Sequence, residues 1–177
     1  MPKESNRNTH IHGNVEKLTQ IGEVKGDVII QQGQDAEKLF KNGIQLFRIG
    51  AYEQATSTLA EVIKIAPLEP DPYYYFALAL LRGKRPKVST LTRVQTIEQN
   101  LQTACELDSK WAHYFYFWGL VKFDFYVANG FMVRPPKIEQ LLLIGRQSLH
   151  EPSLILEMLE HTKGADNQIV SFIAGGL

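Results

Sequence analysis

The sequence predicts a mostly α protein: an α-solenoid of about three helix pairs with C-terminal capping helices, preceded by a short glycine-rich β segment. Three observations predict it. From Ala36 onward, apolar residues recur at helical spacing in segments punctuated by Gly and Pro. Small residues, Gly43 and Ala55, stand where two antiparallel helices would cross closely. Residues 1–33 read differently, with Gly13, Gly22, Gly26 and Gly33 dividing short alternating apolar sets. The resulting division is an assembly or interaction segment over 1–33, a helical domain over 34–150 and capping helices over 151–177.

The helical reading is sharpest in AEKLFKNGIQLFRIGAYEQATSTLAEVIKIAPLE, Ala36 to Glu69. Asp35 is a fair N-cap, the first helix runs to about Ile49, and Gly50 stands where it must stop. The second helix runs from Tyr52 to about Ala66, and Pro67 cannot continue it. Leu39, Leu46, Ala55, Leu59 and Val62 face a shared seam. Leu39, Asn42-Gly43, Leu46, Ala55, Leu59 and Pro67 fall on the large, small and proline positions of a repeat about 34 residues long. The stretch resembles a tetratricopeptide repeat.

A second pair begins at Pro70. Tyr73, Phe76, Ala77 and Leu80 take the places of Leu39, Asn42, Gly43 and Leu46. Its partner helix, with Ile97, Leu101 and Ala104, fits only after an insertion of about eight residues at the turn, a tolerated place for one. Ser89 or Thr90 can cap that helix. A third pair starts near Ala112 with an aromatic helix through Asn129, AHYFYFWGLVKFDFYVAN, and continues from Ile138 to about Leu149 after the break at Gly130–Pro136. Two further helices are expected, 152–161 as the cap that a stacked array requires and Gln168–Ala174 as a second cap or a groove-filling arm.

In the N-terminal segment, Ile11-His12-Gly13-Asn14-Val15 is echoed by Val24-Lys25-Gly26-Asp27-Val28. Gly-Asn and Gly-Asp are turn signals between strand-forming residues. Short strands are expected near 9–12, 14–21 and 23–31, too few to bury a core alone. Gln20-Ile21-Gly22 followed by Val24 resembles the Q-[IV]-G core of the RIP homotypic interaction motifs and of related bacterial amyloid-type signalling motifs. Thr19 stands where such motifs often carry Ile or Val. The resemblance implies templated assembly through in-register strands, with Ile11, Val15, Gln20, Ile21, Gly22, Val24 and Val28 as the assembly residues. The alternative is an ordinary hairpin packed on the helices of a plain tetratricopeptide chaperone or scaffold.

The tetratricopeptide resemblance also implies a concave face lined by the first helix of each pair. Here it carries Phe40, Ile44, Phe47, Tyr74, Leu78, Leu81, Tyr116, Leu120 and Phe123. Family members that grip a C-terminal carboxylate use Lys, Arg and Asn there, whereas this chain has Phe40, Ile44, Tyr75, His113 and Phe117. An apolar groove suits an amphipathic helix, a partner's or the chain's own tail.

Other function classes find little support. The 177 residues are 44% hydrophobic and 21% charged with a net charge of zero, so no global attraction to nucleic acid or anionic membrane is expected. The polar start has no apolar signal core, and no apolar run approaches the roughly 18 residues of a membrane span. A lone Cys105 fits a reducing cytoplasm and reads as core filler. The Arg82, Lys84, Arg85, Lys87 loop is a basic run that could meet phosphate or an acidic partner, though a solvated loop explains it as well. His10 and His12 lack the companions of a metal site. GxxxxGK[ST] and GxSxG are both absent. The expectation is a non-enzymatic cytoplasmic adaptor without cofactor or metal. It would be a homo-oligomer through its N-terminus, with a protein partner on its helices and no membrane or nucleic-acid partner.

Overall fold

The computed structural model describes residues 35–162 and 168–174. The strands and assembly residues expected within 1–33 lie outside the described residues. The chain divides into two units at Asp35, and the helical unit, Ala36–Leu177, is described by itself.

Among the described residues the structure is helical, and the only β feature is an isolated parallel bridge between Trp111 and Leu149. Helix α1 spans 35–48 and α2 Tyr52–Ile65. Gly50 between them has φ +78°, a left-handed position that Gly occupies without strain. Its N–H donates to Phe47 O at 3.0 Å and the Ala51 N–H to Leu46 O at 2.9 Å. These two bonds satisfy carbonyls of the last turn of α1 and reverse the chain in two residues. Close packing of α1 on α2 depends on Gly43, where an added Cβ would meet Leu59 Cδ2 and Cγ at 2.9 Å.

Helix α3 (Pro70–Leu80) carries Pro70 and Pro72 in its first turn, where their missing N–H groups cost nothing. Helix α4 (Leu91–Leu107) is capped by the Thr90 side chain, which accepts from the Arg93 N–H at 3.3 Å. The expected insertion between them includes a short 3-10 turn, Pro86–Val88.

Helix α5 (Ala112–Lys122) is the centre of the unit, since every one of its residues is buried. A helix apolar on all sides needs neighbours on all sides, and α4, α6, α7 and α8 all pack against it. Where one long helix through Asn129 was expected, α5 passes into a wider π-type turn, Phe123–Val127. Within that turn lies Asp124, a fully buried carboxylate. Helix α6 (Ile138–Gln147) starts where the Lys137 N–H donates to Gln140 Oε1 at 3.0 Å, and it lies close against α5. A Cβ on Gly119 would sit 3.2 Å from Leu142 Cδ2, and one on Gly145 would sit 2.7 Å from two carbons of the Tyr116 ring.

Tyr116 is buried and its hydroxyl is bonded to His150 Nε2 at 2.9 Å. Gly145→Val is therefore expected to destabilise by about 1–3 kcal/mol through overpacking, read as a lower urea midpoint. A midpoint at or above that of the wild type would show that the ring moves aside freely.

Helices α7 (Pro152–Thr162) and α8 (Gln168–Ala174) close the unit. The sequence assigns 152–161 to the end of the stack. In the structure α7 packs on α5 and α3 and covers a face. Ile155 and Met158 are buried and Leu159 packs beside them against the core, where α7 meets α3 and α5.

Candidate functional site

The residues expected to form a partner groove are mostly interior. Phe47, Tyr74, Leu78, Leu81, Tyr116 and Leu120 are buried, while Phe40, Ile44 and Phe123 are partly buried against the same core. Several of them meet aromatic side chains outside the expected groove set. Phe40 and Phe47 each lie edge-on to Tyr75, with ring centroids 5.8 and 5.9 Å apart. Tyr74 meets Phe117 at 5.9 Å in the same way. Phe47 and Tyr74 are met by α7, and Tyr116 by Gly145 of α6 and by His150, so the set does not line one open groove.

A polar node ties α7 down. Glu157 accepts from Arg48 Nε at 2.6 Å and Nη2 at 3.3 Å on α1, and from the Tyr75 hydroxyl on α3 at 2.9 Å. One turn further on, the His161 ring stacks at 4.2 Å from Phe47. The Tyr74 hydroxyl donates to Leu154 O at 3.5 Å. Burial pushes the Glu157 carboxyl up, but the hydrogen bonds from Arg48 and Tyr75 outweigh it and hold the group below the usual carboxylate range. The same partner and burial raise the Tyr75 phenol. Sequence reasoning passed over Glu157. Its signal was a carboxylate on α7 beside Met158 and Ile155, near the apolar stripe.

A second polar centre lies on the other side of α5. Lys122 is buried, and its Nζ lies 2.8 Å from Glu98 Oε1 and donates to Arg134 O at 2.9 Å. Glu98 also accepts from Trp118 Nε1 at 3.2 Å and from the Tyr126 hydroxyl at 2.6 Å. These groups form the floor of a cleft of about 650 Å³ between α4 and residues 131–135, with Leu91, Phe131 and Met132 on its rim. The donors and acceptors of the floor are used on one another, so the cleft presents apolar rim and amide side chains more than reactive groups.

The basic loop is not the free run that its sequence suggests. Arg85 makes a paired contact with Asp124 through Nε, at 3.1 Å, and Nη2. The Lys87 N–H donates to the same carboxylate at 2.9 Å, and Arg82 lies 3.3 Å from Glu53. Lys84 and Lys87 expose their side chains. Asp124, which anchors the loop, and Lys122, which pairs with Glu98, interrupt the aromatic run of α5 and its π-type turn. A charge inside an otherwise apolar helix was a readable sign of a buried pair.

Candidates for chemistry are inert as placed. Burial pushes the Cys105 thiol up to about 12, so it holds its proton at neutral pH and is a poor nucleophile. His113 is buried with both ring nitrogens unpartnered, and burial lowers it to about 4. Among the described residues no cluster of three His, Cys, Asp or Glu could hold a metal, and no helix is long and apolar enough to cross a membrane.

The class that the fold defines is a small, mostly helical unit in which α7 packs on α3 and α5. No protein-family model matches the chain, and no curated protein matches it significantly.

Proposed function

We propose that this protein is a non-enzymatic adaptor. In this reading α1–α2, α3–α4 and α5–α6 are three tetratricopeptide-like repeats of a short solenoid. The N-terminal segment assembles copies of the chain through Ile11, Val15, Gln20, Ile21, Gly22, Val24 and Val28. The helical unit then binds or presents a protein partner, in a cytoplasmic signalling or defence setting of the bacterial kind.

The single observation that carries this reading is the face along α1, α3 and α5, which receives an amphipathic helix. The helix seated there is α7, held by Glu157 and by its own apolar stripe. A surface that binds one such helix has the chemistry to bind another. The repeat assignment is supported by Gly43, Ala77 and Gly119. They share one register position in successive first helices, and the two glycines are close crossings, against Leu59 and Leu142.

Gln20→Ala with Ile21→Asp in the full chain is expected to convert an assembly into a monomer with unchanged helix content. Light scattering after size exclusion and far-ultraviolet circular dichroism read the two properties. An equally large assembly in the double variant would remove the homotypic part of the proposal. A monomeric wild type would do the same, and the α7 face would then be the whole of the adaptor.

A further inference from the structure

The loops 82–90 and 127–135 are far apart in sequence and stitched together in space. Asp124 takes Arg85 and the Lys87 N–H. The Asn129 side chain donates to Lys87 O at 3.0 Å and to Phe125 O at 2.8 Å. The 3-10 turn Pro86–Val88 packs on the π-type turn. The Phe131 N–H donates to Tyr126 O at 2.7 Å, and its ring lies 5.7 Å from Phe125. Leu91, Phe131, Met132 and Arg134 line one cleft. The two loops form one anchored edge.

That edge is unusual in what it exposes. Met132 is 86% exposed, Val88 66%, Phe131 55% and Leu91 51%. Four large apolar side chains offered to water at one edge mark a contact surface. Their surroundings are cationic. Residues 82–97 hold five Lys and Arg and no acid, and residues 125–138 hold two and no acid. Of the bordering acids, Glu98 and Asp124 are tied to Lys122 and Arg85, and Glu139 is exposed beside Lys137. With Arg82 set against Glu53, the edge keeps Lys84, Lys87, Arg93 and Arg134 as its cations. The chain as a whole is neutral, so the charge is local to this edge.

We propose that this edge docks on an anionic lipid surface, with Val88, Phe131 and Met132 entering the headgroup region and Lys84, Lys87 and Arg134 meeting lipid phosphates. The apolar groups are at loop tips, flanked by long cationic side chains. This arrangement lets the tips enter a bilayer interface while the charges stay at headgroup level. An acidic polypeptide would be drawn by the same charge but would leave the projecting Met132 and Val88 unused. The contact is peripheral and needs no spanning helix. It is also independent of the adaptor reading.

The test is flotation of the full chain with vesicles of phosphatidylcholine alone or mixed equally with phosphatidylglycerol. The wild type is expected to float with the mixed vesicles and at least about tenfold less with phosphatidylcholine. Phe131→Ser with Met132→Asp, and separately Lys84→Glu with Lys87→Glu, should each weaken flotation about tenfold or more. All four side chains are exposed, and unchanged helix content confirms that folding survives. Three results would overturn the proposal: no flotation, equal flotation with both vesicle types, or full flotation of the Phe131/Met132 variant. In the last case, competition by polyglutamate would assign the edge to an acidic polypeptide.

Discussion

Asp124→Ala is expected to destabilise the helical unit by about 3 kcal/mol and to release the loop 82–90. Asp124 is fully buried and serves three donors, two from Arg85 and one from the Lys87 backbone. Removing one partner of a buried ion pair typically costs about 3–5 kcal/mol. The lower end applies here because the Arg85 side chain is 37% exposed and can turn to water. What remains is an unpaired Lys87 N–H, a lost charge-assisted pair and a small void. Asp124→Asn keeps an acceptor for the N–H and should lose about half as much. Urea unfolding gives the free energies, and tryptic cleavage after Arg82, Lys84 or Lys87 reports the loop. An alanine variant within about 1 kcal/mol of the wild type, with the loop still resistant, would mean that the pair does not hold it.

The result bears on the lipid-binding edge as well. Asp124 joins the two loops whose tips form it, so loosening the pair should weaken flotation by disordering the tips, despite the Arg85 charge it frees. The buried charge therefore links a stability measurement to an interaction measurement. A site made only of surface residues would show no such link.

Much of the helical unit was legible, and the reason is local. Gly50, Pro67, Pro70 and Thr90 mark helix ends by backbone chemistry that acts within a few residues. Both ends of α2 and the starts of α3 and α4 fall within a residue or so of where those signals put them. The small residue Gly43 was also legible, because a helix crossing at close range, here against Leu59, tolerates little else. The destination of α7 was not legible. Its stripe of Ile155, Met158 and Leu159 announces an amphipathic helix but not which apolar surface it will cover. That choice is made by contacts distant in sequence, such as Glu157 with Arg48, 109 residues away, which no local pattern encodes. The same gap explains the groove. Spacing put Phe47, Tyr74 and Tyr116 on one side of the first helices, yet Phe47 and Tyr74 meet α7 while Tyr116 packs against Gly145 of α6 and bonds His150. Which elements cover a side chain is decided by parts of the chain far from it. The basic loop was legible in part: Lys84 and Lys87 are exposed, as a solvated loop has them, and Arg85 is partly buried. Arg85 and Asp124 are 39 positions apart, so the run looks solvated until the fold brings its acid to it.

The second large effect is acid sensitivity from His113, expected to remove about 3 kcal/mol of stability between pH 7 and pH 4. The ring is 1% exposed and neither nitrogen has a partner. It is enclosed by the Tyr74 and Tyr114 rings at 4.8 and 4.2 Å, with Trp111 at 6.2 Å. Burial lowers the imidazole to about 4, against a small opposing effect of the Asp108 carboxylate. Asp71, the other nearby acid, is held by the Tyr114 hydroxyl. An unfolded histidine titrates near 6.5, so between about 6.5 and 4 the unfolded chain binds a proton that the folded one does not. Stability therefore falls as pH drops through that window and levels off below it. Glu157 acts lower down: its depressed carboxyl contributes stability that is lost only as pH falls through its folded value, below the ordinary carboxylate range. The two sources separate by variant. His113→Leu should leave stability at pH 7 unchanged or higher, since it removes a buried polar ring without a partner, and it should flatten the pH dependence from 6.5 to about 5. Urea unfolding of both proteins across that range decides it. If the leucine variant keeps the wild-type slope, the acid sensitivity belongs to the carboxylates and His113 is protonated without penalty in the folded state.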